Sequence, residues 1–294
     1  MTATSSLTAR PVLAARARLG ECPVWDPDRR RLYWVDIYNH RVHEFDPDTK
    51  ADRWFDTGEV VSALVLARHN RLLLALRNRL AYLHLDSGVV EPLQELEFTL
   101  RGTRFNDGKC DPQGRFWIGT MSEQPGQAVL YRYDTDGALH VMETGLTTSN
   151  GLGWSPDGAS FYLTDSEVRE IYVYRFDART GAISDRRVLI NFSGEAAVPD
   201  GMTIDRRGHI WTALWDGWSI VHSDPNGQPI ERIRLPVPRA TSLAFGGPKL
   251  TDLYITTASV ALSQTEIQRA FQAGDLFCIA GAGEGVPAAA FGAQ

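Results

Sequence analysis

Cysteine and lysine are both scarce in this chain. The cysteines are Cys22, Cys110 and Cys278, an odd number without a C-x-x-C spacing. That argues against a disulfide framework and against a thiolate zinc site. No Lys/Arg block offsets the formal net charge of −6, so nucleic acid is not an expected partner. No stretch reaches the roughly 18 apolar residues of a membrane span, and the N-terminus lacks the long apolar run of a signal peptide. No membrane partner and a cytoplasmic location are therefore expected. A G-x-S-x-G elbow is missing, which leaves a serine hydrolase unsupported. So is a Gly-rich phosphate loop, and the 26 glycines fall mostly in turns. Helical periodicity is confined to residues 263–273, which argues against a doubly wound α/β fold.

What the chain has instead is one short pattern, repeated. In Val198-Pro199-Asp200-Gly201-Met202-Thr203-Ile204, a strand runs into the turn Asp205–Gly208 and then a second strand through Ile210 and Thr212. Asp200 stands five residues before the turn's first residue. Glu21 holds that place before Asp26-Pro27, Asn106 before Asp111-Pro112, and Asn150 before Ser155-Pro156. Weaker copies put Ser62 before Ala67 and Thr241 before Gly246. Each copy continues into two or three further strands of four to six residues. A period in the forties with four short strands per unit marks a β-propeller blade. The expectation is an all-β, six-bladed propeller of four-stranded antiparallel blades, with a Pro11–Arg18 strand completing the last blade and closing the ring. Residues 11–294 would form this single domain and residues 1–10 a disordered tail.

In a propeller the first strand of each blade lines the central channel, so one register position forms one layer around the axis. Glu21, Ser62, Asn106, Asn150, Asp200 and Thr241 are thus expected at one mouth. Every member bears oxygen. Two carboxylates crowded into a partly dry channel resist ionising together, and a divalent cation removes that cost. Oxygen donors suit Ca²⁺, Mg²⁺ or Mn²⁺ better than the sulfur- and imidazole-rich surroundings of structural zinc. Asp36, Asp165 and Asp205 read as turn caps. Trp25, Trp34, Trp117, Trp154 and Trp211 read as packing between blades, while Trp215 or Trp218 could wall a pocket. None of the seven histidines falls in the register, and all are assigned surface or structural roles.

The stretches Leu19-Gly20-Glu21-Cys22-Pro23-Val24-Trp25, Arg104-Phe105-Asn106-Asp107-Gly108-Lys109, Gly119-Thr120-Met121, Ser149-Asn150-Gly151-Leu152, Pro199-Asp200-Gly201 and Phe245-Gly246-Gly247 together resemble the senescence-marker-protein/gluconolactonase/regucalcin family of propeller lactonases. The resemblance implies one divalent metal, from among Ca, Mn, Zn, Mg and Fe, on Glu21, Asn150 and Asp200. It implies Arg104 and Asn106 as holders of a sugar's oxygens, with Glu123 a further substrate contact. The implied reaction is hydrolysis of an aldonolactone such as gluconolactone, the metal polarising the carbonyl. Asp200 would be the base, with a metal-bound hydroxide the open alternative. A phosphotriesterase-like hydrolase and a non-catalytic, regucalcin-like calcium binder are the competing readings.

Overall fold

A computed structural model describes residues 7–292. Its strands make six four-stranded antiparallel sheets. The chain opens with β1 (Arg10–Leu13). Blade 1 is β2 (Gly20–Asp26), β3 (Arg31–Asp36), β4 (Arg41–Phe45) and β5 (Asp52–Asp56). Blade 2 is β6 (Val61–Ala67), β7 (Arg71–Leu76), β8 (Arg79–His84) and β9 (Val90–Glu95). Blade 3 is β10 (Arg104–Cys110), β11 (Phe116–Met121), β12 (Ala128–Tyr133) and β13 (Leu139–Leu146). Blade 4 is β14 (Ser149–Trp154), β15 (Ser160–Asp165), β16 (Glu170–Asp177) and β17 (Ala182–Asn191). Blade 5 is β18 (Val198–Ile204), β19 (Ile210–Trp215), β20 (Ser219–Ser223) and β21 (Pro229–Arg234). Blade 6 is β22 (Ala240–Gly246), β23 (Asp252–Thr257) and β24 (Leu276–Ile279), completed by β1 in the order β1-β24-β23-β22. The N-terminal strand therefore closes the six-bladed ring.

The closing strand is shorter than the Pro11–Arg18 expected. Arg16 turns to a left-handed φ of 52°, and Arg18 and Leu19 give their backbone N–H groups to the Asp36 carboxylate instead of to a sheet. The expected tail over residues 1–6 lies outside the described residues; Leu7 and Ala9 pack against the blade 5–blade 6 core and Arg10 opens β1. The helical signal near residue 263 becomes α1 (Gln264–Arg269), opened by a capping box between Ser263 and Glu266 and burying none of its residues.

Aromatic side chains seal the joints between blades, as expected. Trp117 and Trp154 meet edge to face at 5.8 Å between blades 3 and 4. Trp211 meets Phe245 at 5.8 Å between blades 5 and 6, and Trp25 stacks on Tyr254 at 6.1 Å between blades 6 and 1. Such pairs add roughly 0.5–1.5 kcal/mol each beyond their area burial. Asp36 and Asp165 are turn braces: Asp165 accepts from the N–H groups of Thr147 and Thr148, both at 3.0 Å.

All six innermost strands share one irregularity. The pairing of β2, β6, β10, β14, β18 and β22 with its neighbour slips between Glu21 and Val24, Val61 and Ala63, Phe105 and Gly108, Ser149 and Leu152, Pro199 and Met202, and Ala240 and Ser242. Each slip falls at the repeated register position. A bulge releases one or two residues from strict alternation and re-aims their side chains, and here it does so at one level around the whole ring. Neighbouring inner strands touch there. A Cβ on Gly151 would fall 2.5 Å from the Met202 nitrogen, and one on Gly201 would fall 2.3 Å from Ser242 Oγ. Glycine lets those backbones approach.

Candidate metal and substrate site at the channel mouth

All six register residues are buried. Asn150 Nδ2 donates to Asp200 Oδ1 at 2.5 Å and to Ser166 Oγ at 3.1 Å, and Ser166 Oγ donates to the Pro199 carbonyl at 2.7 Å. Blades 4 and 5 are thus locked together at the site. Asn150 Oδ1 is buried with no hydrogen-bond partner. Burial and Asp200, then Asp107, hold the Glu21 pKa well above the ordinary carboxylate value; burial and Asp107 do the same for Asp200. These are two mutually repelling acids beside an orphaned carbonyl oxygen. Two buried, repelling carboxylates and one unpartnered carboxamide oxygen are the hard donors that an alkaline-earth or similar dication takes, so Glu21, Asn150 and Asp200 fit the ion expected from the sequence.

Arg104 sits on the neighbouring arc. Its Nη1 donates to Ser62 Oγ at 3.2 Å, to the Phe105 carbonyl at 2.7 Å and to Asn106 Oδ1 at 2.9 Å. Asn106 Nδ2 donates to the Ser149 carbonyl at 3.0 Å. Burial lowers the Arg104 pKa, while Tyr38 and Glu21 beside it raise it. Arg104 and Asn106 therefore act as one rigid polar unit. Glu123 lies two residues past Met121, the cross-strand partner of Arg104, on an exposed loop where its carboxyl covers Gly102.

Two register members serve other ends. Thr241 Oγ1 donates to the Gly20 carbonyl at 2.5 Å and pairs with Thr256 Oγ1 at 2.9 Å, which ties blade 6 to blade 1. Ser62 faces Arg104 and props its guanidinium. An oxygen at the register is thus necessary for the site and not sufficient. Asp107 lies one residue off the repeated register position, so the repeat does not mark it. It is buried, its pKa is raised by burial and restrained by Lys109, and it adds a third acid near Glu21 and Asp200. Strict alternation would turn Asp107 away from the side that Asn106 faces, and the bulge undoes that alternation. Lys109 Nζ donates to the Met202 carbonyl at 2.9 Å and is the cation beside Asp107, while Arg104 is the cation beside Glu21 and Asp200. Cys22 Sγ donates to the carbonyls of Leu64 and Gly108, and burial pushes its thiol pKa far up, so it offers no thiolate. Trp215 is part-buried beneath the Arg239 guanidinium, 4.5 Å from its ring centre, whereas Trp218 is exposed.

One further group of donors lies elsewhere. Among the described residues, Asp205, His209 and His222 place three ligand atoms within 4.8 Å of one another. By sequence, Asp205 reads as a turn cap and the histidines as surface or structural residues. The cap is real, since Asp205 Oδ1 accepts from the N–H groups of Arg207 and His209, both at 2.9 Å. The second carboxylate oxygen is what the sequence did not reveal, because the cluster occurs in one blade and follows no repeat.

A six-bladed propeller with an oxygen-donor site and a fixed guanidinium at one channel mouth defines a class of enzyme and metal-binding scaffolds. Residues 19–259 match the family model described as the SMP-30/Gluconolactonase/LRE-like region, and the chain belongs to that family. It is 40% identical over 253 residues to Pentonolactonase XacC of Haloferax volcanii, covering 86% of each chain. It is 34% identical over 294 residues to regucalcin of Gallus gallus, covering 96% of this chain and 98% of the relative. The crystal structure of a calcium-binding protein, regucalcin, from Agrobacterium tumefaciens superposes with a TM-score of 0.91 at 29% identity, covering 96% of this chain and 97% of that one.

Proposed function

We propose that this protein hydrolyses a sugar lactone to its aldonic acid, using a divalent cation held by Glu21, Asn150 and Asp200. The observation that carries the reading is the buried pairing of the Asn150 carboxamide with Asp200, which leaves Asn150 Oδ1 unpartnered beside a second buried acid. When bound, a dication there supplies Lewis-acid polarisation of the lactone carbonyl. The chain's own residues do the rest. Arg104, held rigid by Ser62 and the Phe105 carbonyl, presents its remaining N–H donors to the hydroxyl or ring oxygens of the sugar, and Asn106 beside it fixes their register. Glu123 contacts the substrate from the loop above. Asp200 takes the proton from the attacking water, and Asp107 helps to keep that carboxylate basic. The relative named for pentonolactone hydrolysis supports a five- or six-carbon aldonolactone as the substrate class.

A calcium-binding role without turnover is the second reading, and the similarity to regucalcin favours it. One experiment separates the two. The chelated protein is assayed by acid release on glucono-, galactono-, xylono- and arabinonolactone, before and after adding back Ca²⁺, Mn²⁺, Zn²⁺, Mg²⁺ or Fe²⁺. The lactonase reading expects turnover of at least one lactone, lost on chelation and restored by a cation. Cation binding without turnover of any of them establishes the second reading.

A further inference from the structure

The inner strand β18 carries Asp200 at one end and leads into Asp205 at the other, roughly 15 Å away at strand rise. At that far end the turn Asp205–Gly208 closes, β19 begins with His209 just before it, and His222 comes in from β20. His209 Nδ1 lies 2.8 Å from His222 Nε2 and 3.7 Å from Asp205 Oδ2. Metal–ligand bonds of about 2.0–2.1 Å in a tetrahedron set neighbouring donors about 3.3 Å apart, and the two distances bracket that spacing. Asp205 and His222 are buried, while His209 keeps 16% of its side chain exposed and so leaves a way in.

The surroundings orient each donor. Glu231 Oε1 is 3.2 Å from His222 Nδ1, which places the proton there and leaves the Nε2 lone pair facing His209. A carboxylate on the far nitrogen is the usual partner of a metal-bound imidazole. Trp211 stacks on His222 at 3.9 Å and holds its plane, and Trp211 Nε1 donates to Asp205 Oδ2 at 3.3 Å. Burial lowers the His222 pKa and favours the neutral, ligating ring.

Blade 1 shows what a purely structural version looks like. There Trp34 stacks on His43 at 3.9 Å, and Asp52 takes His43 Nδ1 at 2.8 Å. No three-donor group forms around it among the described residues. Blade 5 has the same stack and a carboxylate on the same ring nitrogen, and adds His209 and the second carboxylate oxygen of Asp205.

We propose that Asp205, His209 and His222 bind a borderline transition-metal dication, Zn²⁺ being the representative, at a site separate from the channel mouth. Two imidazoles and one carboxylate leave a fourth position for water and select this class over Ca²⁺ or Mg²⁺. On binding, the proton of the neutral His209 ring moves through solvent from Nδ1 to Nε2, and the metal takes its place between the rings. The ion joins β19 and β20 to the end of β18. That end also anchors the C-terminal segment, because Arg206 N–H donates to the Glu284 carbonyl at 2.7 Å and Asp205 bridges Gly285.

The test uses the full, tag-free chain. Co²⁺ is titrated by its visible absorption and Zn²⁺ by calorimetry, in the native protein and in Asp200→Asn, which disables the mouth. One equivalent is expected to persist in Asp200→Asn, to resist excess Ca²⁺, and to disappear in His209→Gln. Glu231→Gln is expected to weaken it about 10- to 100-fold. Zn²⁺ should raise the melting temperature of Asp200→Asn, but not of the double variant Asp200→Asn/His209→Gln, in which both sites are disabled. Lactone turnover in His209→Gln should match the native enzyme. Identical titrations of native and His209→Gln protein, or no equivalent surviving in Asp200→Asn, would overturn the proposal.

Discussion

The channel mouth and the lower turn of blade 5 both gather groups able to hold a cation, by opposite routes. At the mouth the donors come one per strand from separate blades: Glu21 from β2, Asn150 from β14, Asp200 from β18. Asn150 and Asp200 stand 50 residues apart and still meet at hydrogen-bond distance. At the turn all the donors lie in one blade, with His209 and His222 only 13 residues apart. The mouth is made by the closing of the ring, and the turn cluster by three consecutive strands of one blade. The donors differ to match: oxygen only at the mouth, imidazole with one carboxylate at the turn. The comparison sets two ways of gathering donors in one fold side by side, a global one that draws on separate blades and a local one that a single blade can build.

The strongest way to break that comparison is to remove a donor at the mouth. Asp200→Ala takes away one of the three proposed cation ligands and the proposed base together. Outer-shell partners of a metal cost about 10- to 100-fold when removed, so loss of a direct ligand should lower kcat/KM by more than about 100-fold. The β-rich circular dichroism spectrum should stay intact, because Ser166 still ties blade 4 to blade 5 and the aromatic joints between blades are untouched. Steady-state lactone hydrolysis after Ca²⁺ or Mn²⁺ addition checks this. Near-native turnover would show that the convergence at the mouth has nothing to do with catalysis.

The two sites were not equally legible beforehand, for a physical reason. A propeller stamps the same local geometry on every blade, so a position that recurs in the sequence recurs in space. Glu21, Asn106, Asn150 and Asp200 could be placed at one level without any coordinates. The bulge beneath them could not, since it shows only as a slip in pairing; without it Asp107 reads as facing away from the site. Thr241 shows the converse error, because its place in the repeat is right while its hydroxyl is already spent on Gly20 and Thr256. His209 and His222 repeat nowhere. Their approach depends on the cross-strand pairing of β19 with β20, where Trp211 faces His222, and one blade's pairing has no echo in the other five.

Glycine substitutions sharpen the contrast at an intermediate scale. At the mouth, Gly201 has the Ser242 side chain 2.3 Å and its Cα 2.8 Å from where a Cβ would sit. Ser242 belongs to the adjacent blade, so Gly201→Ala must push two inner strands apart, and such overpacking costs about 1–3 kcal/mol. At the turn, Gly208 has φ +79° but its nearest neighbour is Pro225 at 3.5 Å. Gly208→Ala strains only the local backbone, by about 1 kcal/mol. Urea midpoints at unchanged m-value should rank Gly201→Ala below Gly208→Ala, and only the first should also lose lactone turnover. The reverse order would mean that the mouth is not held by close approach of the inner strands.

The smallest expected effect bears on what membership of the register means. Thr241 occupies the same position as Asp200 and Glu21 and is buried like them, yet its hydroxyl joins Gly20 of blade 1 to Thr256 of blade 6. Thr241→Val keeps the shape and deletes those hydrogen bonds, leaving the Gly20 carbonyl without this donor. The cost should be about 1 kcal/mol of stability, read as a lower urea midpoint, with kcat/KM and cation affinity unchanged. A structural tie gives that split; a site residue would give the opposite one, with catalysis falling and stability held. If kcat/KM falls tenfold while the midpoint stays put, the oxygen ring at the mouth extends further round than Glu21, Asn150 and Asp200, and the division of the register into ligands and ties would have to be redrawn.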